Sequence, residues 1–235
     1  MLPFCLRGEH KLKNPFKSLN RFELCLWTVS MLVIAVSSLF SSTGGVVQTI
    51  TSLLGVTGLI FIAKGMLTGQ FFMIVFCILY GIISLFARYY GEAITYVGMS
   101  LPMAIVGTVS WIRHPHKDSD RVEIARLTKW QILFIAISTV VVTTAFYFIL
   151  GALDTAKLMV STVSVATSFI AASLTYFRSP YYAAAYAVND IVLIVLWIAA
   201  SVKDISNLSM IFCFVMFLAN DLYGFYNWKK MQKQQ

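Results

Sequence analysis

Eight apolar runs, at roughly residues 23–41, 46–64, 69–88, 93–111, 130–150, 155–176, 181–201 and 207–227, divide this chain almost from end to end. Each is near the roughly 20 residues a helix needs to cross about 30 Å of hydrocarbon. With 59% hydrophobic and 12% charged residues, the 235-residue chain has too little polar surface to cover a soluble globule of its length. The expected fold is an all-α polytopic membrane protein with eight transmembrane helices. Connections are mostly short, so neighbouring helices run antiparallel in one domain.

The formal net charge of +8 suggests nucleic acid until the charges are placed. Lys and Arg are sorted by segment. Five precede the first run, Lys64 follows the second, and Arg113, Lys117, Arg121, Arg126 and Lys129 lie between the fourth and fifth. Arg178 and three tail lysines bring that side to 15, against Arg88, Lys157 and Lys203 on the other. The positive-inside rule then puts both termini in the cytoplasm and the protein in the cell membrane, with no nucleic-acid partner. The first run follows a basic stretch, but it exceeds a signal-peptide core and no A-x-A site follows, so a retained helix is expected. Cys5, Cys25, Cys77 and Cys213 lack metal or redox spacing and read as packing residues. His114 and His116 share a segment with Asp118 and Asp120 that encloses nothing, so a solvated loop is expected there, with no metal and no cofactor.

An internal repeat organises the runs. LPMAIVGTVSW at 101–111 and LANDLYGFYNW at 218–228 align Leu101, Gly107 and Trp111 with Leu218, Gly224 and Trp228 at a constant offset of 117 residues. Runs two to four and six to eight share one orientation, with the fifth restoring the direction. The expected organisation is a basic segment with an extra helix (1–45), a first triplet (46–111), a loop and linker helix (112–150), a second triplet (151–228) and a basic tail (229–235). Parallel triplets of this kind are SWEET-like, with substrate held near the midplane between the halves.

Polar residues fall at that level. Tyr80 sits at the centre of the third run, Ser164 and Thr167 in the sixth, Asn189 and Asp190 in the seventh, and Asn220 and Asp221 slightly inward in the eighth. Tyr182, Tyr186 and Asn189 are spaced i, i+4, i+7, on one helical face. Pro102 is expected to kink the fourth helix and free a carbonyl. A carboxylate at the bilayer centre costs about 3 kcal/mol, so Asp190 is expected to line a cavity. Of ten acidic residues, only Asp190 and Asp221 read as well inside the membrane.

The segments AKG (63–65), LYGIIS (79–84), YYGE (89–92), RSPYYAAAYAVND (178–190) and NDLYGFYNW (220–228) resemble, in order and spacing, the PnuC-type vitamin transporters over roughly residues 46–228. The resemblance implies two triplets with a linker helix, and facilitated diffusion of an unphosphorylated vitamin that a cytoplasmic kinase traps. The best-known members move nicotinamide riboside, a flat cation joined to a neutral sugar. Candidate substrate-binding residues are Tyr80, Ser84, Met103, Thr167, Tyr182, Tyr186, Asn189, Asp190, Trp197 and Asn220. Aromatic faces suit the cation, and the asparagines suit hydroxyls or the carboxamide. The chain departs from many relatives at GVTG (55–58), where they have Asn, and around Ala183 to Tyr186, where they have Trp. Thiamine or riboflavin therefore stay open as the vitamin, as does self-assembly. An enzyme is not expected: an intramembrane aspartyl protease built on Asp190 and Asp221 would need Gly-x-Gly-Asp and Tyr-Asp contexts that are missing, and Asp221 reads as deeper than Asp190.

Overall fold

The computed structural model describes residues 15–39, 45–86, 90–116, 120–155, 157–202 and 208–235. Cys5, the basic residues before position 15, Arg88, Lys117, Asp118 and Lys203, used in the charge and loop readings, lie outside them. Among the described residues eight helices are long and apolar enough to span a membrane, and there is no β-strand. They are α1 (Arg21–Ser38), α2 (Gly45–Ala63), α3 (Leu67–Phe86), α4 (Tyr90–Arg113), α5 (Lys129–Ala152), α6 (Leu158–Tyr176), α7 (Tyr182–Ser201) and α8 (Leu208–Gln234).

Local chemistry sets the helix ends. At α1, Asn20 Oδ1 accepts the Glu23 N–H at 2.9 Å and Glu23 Oε2 accepts the Asn20 N–H at 2.7 Å, a reciprocal cap. Thr128 and Gln131 start α5 in the same way. Inside α4, Thr95–Ser100 widens into a π-helical turn in which the Leu101 N–H reaches Tyr96 O. Pro102 follows at once and has no N–H to give, so the disruption expected of it is absorbed in that wider turn. The segment 229–235, expected as a tail, continues α8 to Gln234. Trp228 and Met231 are buried, and the Gln235 side chain accepts from Ile124 N at 2.7 Å.

The turns joining α2 to α3 and α6 to α7 match bond for bond. Gly65 N–H donates to Ile62 O at 2.8 Å and Met66 N–H to Phe61 O at 3.0 Å. In the second turn Arg178 N–H donates to Thr175 O at 3.0 Å and Ser179 N–H to Leu174 O at 2.9 Å. Each pivots on a left-handed residue, Gly65 at φ 71° and Arg178 at φ 56°. The segment before α5 ties the two together: Val122 N–H donates to Gly65 O at 2.8 Å, and Ala125 N–H to Arg178 O at 3.1 Å. Val122 is buried in the cluster that holds Trp111, Leu174 and Trp228. His114 and Asp120 are exposed, as expected of a solvated loop, but the segment is not solvated throughout: residues 122–125 form a strap across the bundle end, because two turn carbonyls and an apolar pocket are available to them.

The tryptophans lock the same end. Trp111 of α4 donates its indole N–H to Thr175 O near the end of α6 at 3.0 Å, and Trp228 of α8 donates to Ile62 O near the end of α2 at 2.9 Å. Their rings lie 5.5 Å apart. At the α2–α3 crossing, a Cβ on Gly69 would sit 2.5 Å from Ile62 N, so only glycine permits that approach.

Helix α1 packs on α2 and α8. Lys64, counted above among the interfacial cations, is instead buried: Nζ donates to Glu23 Oε2 at 2.7 Å and Ser18 O at 2.8 Å. Tyr223 OH donates to Glu23 Oε1 at 2.6 Å, so one carboxylate clamps three helices. Removing one member of a buried pair strands the other charge. Lys64→Met is therefore expected to lower stability by about 3 kcal/mol, read by thermal unfolding in detergent, with much of the loss recovered when Glu23→Leu is added.

Candidate functional site

A cavity of about 130 Å³ lies between the helices, lined by residues of α2, α3, α4, α6, α7 and α8 with Leu150 of α5; none of the described residues of α1 lines it. Helix α7 supplies one continuous face. Tyr182, Tyr186, Asn189, Asp190, Leu193 and Trp197 follow at helical spacing and all line the cavity. The Arg178–Ser179–Pro180 turn sets where this face starts, which brings Tyr182 to 4.6 Å from the Trp228 ring at the tryptophan-locked end.

Asn189 is held from α6. Its Oδ1 accepts three hydroxyls, Ser164 at 3.1 Å, Thr167 at 2.8 Å and Ser168 at 3.0 Å. A saturated oxygen fixes the amide and leaves its N–H groups as what Asn189 can offer the cavity. Asp190 of α7 and Asp221 of α8 lie against each other, carboxyl beside carboxyl, and both line the cavity. Asp221, expected deeper than Asp190, is thus level with it in reach, because packing of α8 on α7 sets their relative height. Near the end of the cavity away from the tryptophans, Tyr80 OH donates to Glu92 Oε2 at 2.8 Å, and the Tyr80 and Tyr96 rings are 4.3 Å apart.

Four lining side chains carry a buried polar atom that meets no partner in the protein: Gln70 Nε2, Thr155 Oγ1, Asp190 Oδ2 and Trp197 Nε1. Buried polar groups are nearly always bonded, so a run of such atoms around one cavity marks where a bound molecule supplies the missing partners.

Of the ten candidates, Tyr80, Met103, Tyr182, Tyr186, Asn189, Asp190 and Trp197 line this cavity. Thr167 stands behind it, bonded to Asn189. Ser84 is buried but one turn beyond Tyr80, away from the lining. Asn220 points elsewhere, its Nδ2 donating to Ser30 Oγ of α1 at 3.0 Å and Met216 O at 2.8 Å. Glu92, Tyr96 and Gln70 are lining residues outside the ten. The apolar run at 93–111 leaves Glu92 in a loop, whereas the helix starts at Tyr90. The readable signal is the set Glu92, Tyr96, Ser100 and Met103, which shares one helical face.

Among the described residues eight helices are long and apolar enough to span a membrane, and six of them enclose a polar, partly unsatisfied cavity, the arrangement of a multi-pass membrane transporter for a small molecule. The chain belongs to the nicotinamide mononucleotide transporter family, whose profile matches residues 45–230. It is 26% identical over 224 residues to the nicotinamide riboside transporter PnuC of Neisseria mucosa (strain ATCC 25996 / DSM 4631 / NCTC 10774 / M26), covering 93% of this chain and 85% of that one. It also matches the crystal structure of the vitamin B3 transporter PnuC with a TM-score of 0.77 at 25% identity, over 92% of this chain and 94% of that one.

Because Asn220 braces α1, Asn220→Leu is expected to lower stability by about 1 to 2 kcal/mol through the orphaned Ser30 hydroxyl. Thermal unfolding of the purified protein checks this, and ligand affinity is expected to stay within about twofold.

Proposed function

We propose that this chain carries nicotinamide riboside across the cell membrane by facilitated diffusion, and that phosphorylation on the cytoplasmic side traps it. One observation carries the choice of nucleoside over nucleotide. The cavity is lined by three carboxyl groups, Glu92, Asp190 and Asp221, and among its described lining residues there is no Lys, Arg or His. A phosphate brought there would lose its hydration and gain no counter-charge, whereas a pyridinium cation joined to a neutral ribose suits it. The name of the matched relative, a nicotinamide riboside transporter, supports the same reading.

In this reading the N–H groups of Asn189, Gln70 and Trp197 donate to ribose hydroxyls or the carboxamide, and Asp190 Oδ2 accepts from a hydroxyl. The rings of Tyr80 and Tyr96 offer faces to the flat cation, each contact worth about 1 to 2 kcal/mol when desolvated, and Tyr182 and Tyr186 wall the end toward Trp228. Met103 fills the remaining wall. The matched turns and the reciprocal tryptophan bonds support two parallel repeats, 46–111 and 151–228, that rock against each other. The end that holds Lys17, Arg21, Arg113, Arg178 and Lys229 is taken as cytoplasmic, so release inward requires the tryptophan bonds to part. The Asp190–Asp221 pair is also what an aspartyl protease would need, but relatives that match across nearly the whole chain are transporters.

Two measurements test this. In proteoliposomes, labelled nicotinamide riboside is expected to equilibrate without an ion gradient, and to accumulate only when a riboside kinase and ATP are enclosed. Nicotinamide mononucleotide is expected to enter at least about tenfold more slowly; equal entry of the two, or selective entry of thiamine or riboflavin, defeats the assignment. Asn189→Leu is expected to weaken riboside binding at least about tenfold while the protein still purifies. For topology, Asp154→Cys should react with an impermeant thiol reagent in intact cells and Glu123→Cys should not; both positions are exposed. The reverse pattern inverts the proposed orientation.

A further inference from the structure

Three carboxyl groups line the cavity, and they are not equivalent. Asp190 and Asp221 lie against each other, carboxyl beside carboxyl, so a proton held between them offsets part of their charge. Glu92 is different. Its Oε2 accepts one phenolic hydroxyl, from Tyr80 at 2.8 Å, which satisfies an oxygen but brings no counter-charge. Among the described residues that line the cavity there is no cation to pair with it.

The surroundings of Glu92 are aromatic. Tyr80 and Tyr96 stand 4.3 Å apart between ring centroids, both lining the cavity beside it. Trp197, on α7 at the same end of the bundle, is buried in the cluster that holds Tyr80. Its indole N–H meets no acceptor in the protein although it lines the cavity. A carboxyl group without a cation partner, two tyrosine faces, and the unanswered Trp197 N–H and Thr155 hydroxyl are what a flat aromatic cation with a carbonyl substituent would satisfy together. Gln70 Nε2 is unanswered toward the tryptophan end and Asp190 Oδ2 near the middle of α7; an amide donor and a carboxyl acceptor suit neutral hydroxyls.

We propose that Glu92 is the charge-selective residue of the site: with Tyr80, Tyr96 and Trp197 it forms a subsite for the cationic ring of the substrate, and the sugar points toward Gln70 and Asp190. This rests on the reading of the cavity as a riboside site. It moves the counter-charge from Asp190, where the sequence places it, to a residue near the opposite end from Trp111 and Trp228.

The test compares nicotinamide riboside with its 1,4-dihydro form, which keeps the ring, carboxamide and sugar but has no charge. Binding of both to purified wild-type, Glu92→Gln, Glu92→Asp and Asp190→Asn protein is measured by calorimetry, with melting temperature on each. Glu92→Gln is expected to bind the cation at least tenfold more weakly and the neutral form within twofold of wild type. Glu92→Asp, which keeps the charge, is expected to keep the wild-type preference for the cation even if it binds both less well. Asp190→Asn is expected to weaken both forms alike. Equal weakening of both forms by Glu92→Gln, or no change in either, overturns the assignment to Glu92. A charge-selective loss in Asp190→Asn alone overturns it in favour of Asp190. Wild-type protein that binds neither form overturns the riboside reading itself, and this proposal with it.

Discussion

Two indole hydrogen bonds hold the halves of this protein together. Trp111 on α4 bonds a carbonyl in the last turn of α6, and Trp228 on α8 one in the last turn of α2. In a membrane the hydrophobic effect does not press helices together, and helix-end carbonyls without partners are costly. The turn N–H groups of Gly65 and Arg178 already bond Ile62 O and Thr175 O, and the crossed indoles use the second lone pair of each carbonyl to tie one helix pair to the other, with the strap laid over both turns.

The site follows from that arrangement. Joining α4 to α6 and α8 to α2 at one end brings the faces of α2, α3, α4, α6, α7 and α8 around a common space, and the polar groups on those faces meet partners from different helices. Asn189 is oriented by three hydroxyls of α6, Asp190 by Asp221 of α8, and Glu92 by Tyr80 of α3. Each functional side chain on one helix thus has its rotamer set by another. Helix α1 stands apart from the cavity and acts through the Glu23–Lys64–Tyr223 clamp, which braces α2 and α8 from outside.

A good part of this was readable beforehand. Apolar runs of about 20 residues state the number of spans, because hydrocarbon thickness sets their length. Helical spacing states that Tyr182, Tyr186, Asn189 and Asp190 lie near one face of α7, and seven of ten candidate residues do line the cavity. The misses share a cause. Asn220 repeats the spacing of Asn189 but its face of α8 turns to Ser30, and nothing in a one-dimensional pattern says which neighbour a helix shows to the cavity. Glu92 looked like a loop residue because hydropathy blurs helix ends by a turn or more. Lys64 looked like an interfacial cation because its partner, Glu23, is 41 residues away.

What the sequence determined by itself is therefore what depends on local, periodic physics: the length and number of the apolar spans and the face of α7. What only the tertiary structure decided depends on how helices rotate and slide against one another. That includes the pairing of Asp190 with Asp221, the crossed tryptophan bonds, the strap, and the exposure of Glu92 to the cavity beside Tyr80 and Tyr96. Helix rotation and register are set by close packing and by polar partners far apart in the chain, at sites such as Gly69 against Ile62, and an apolar run carries no record of either.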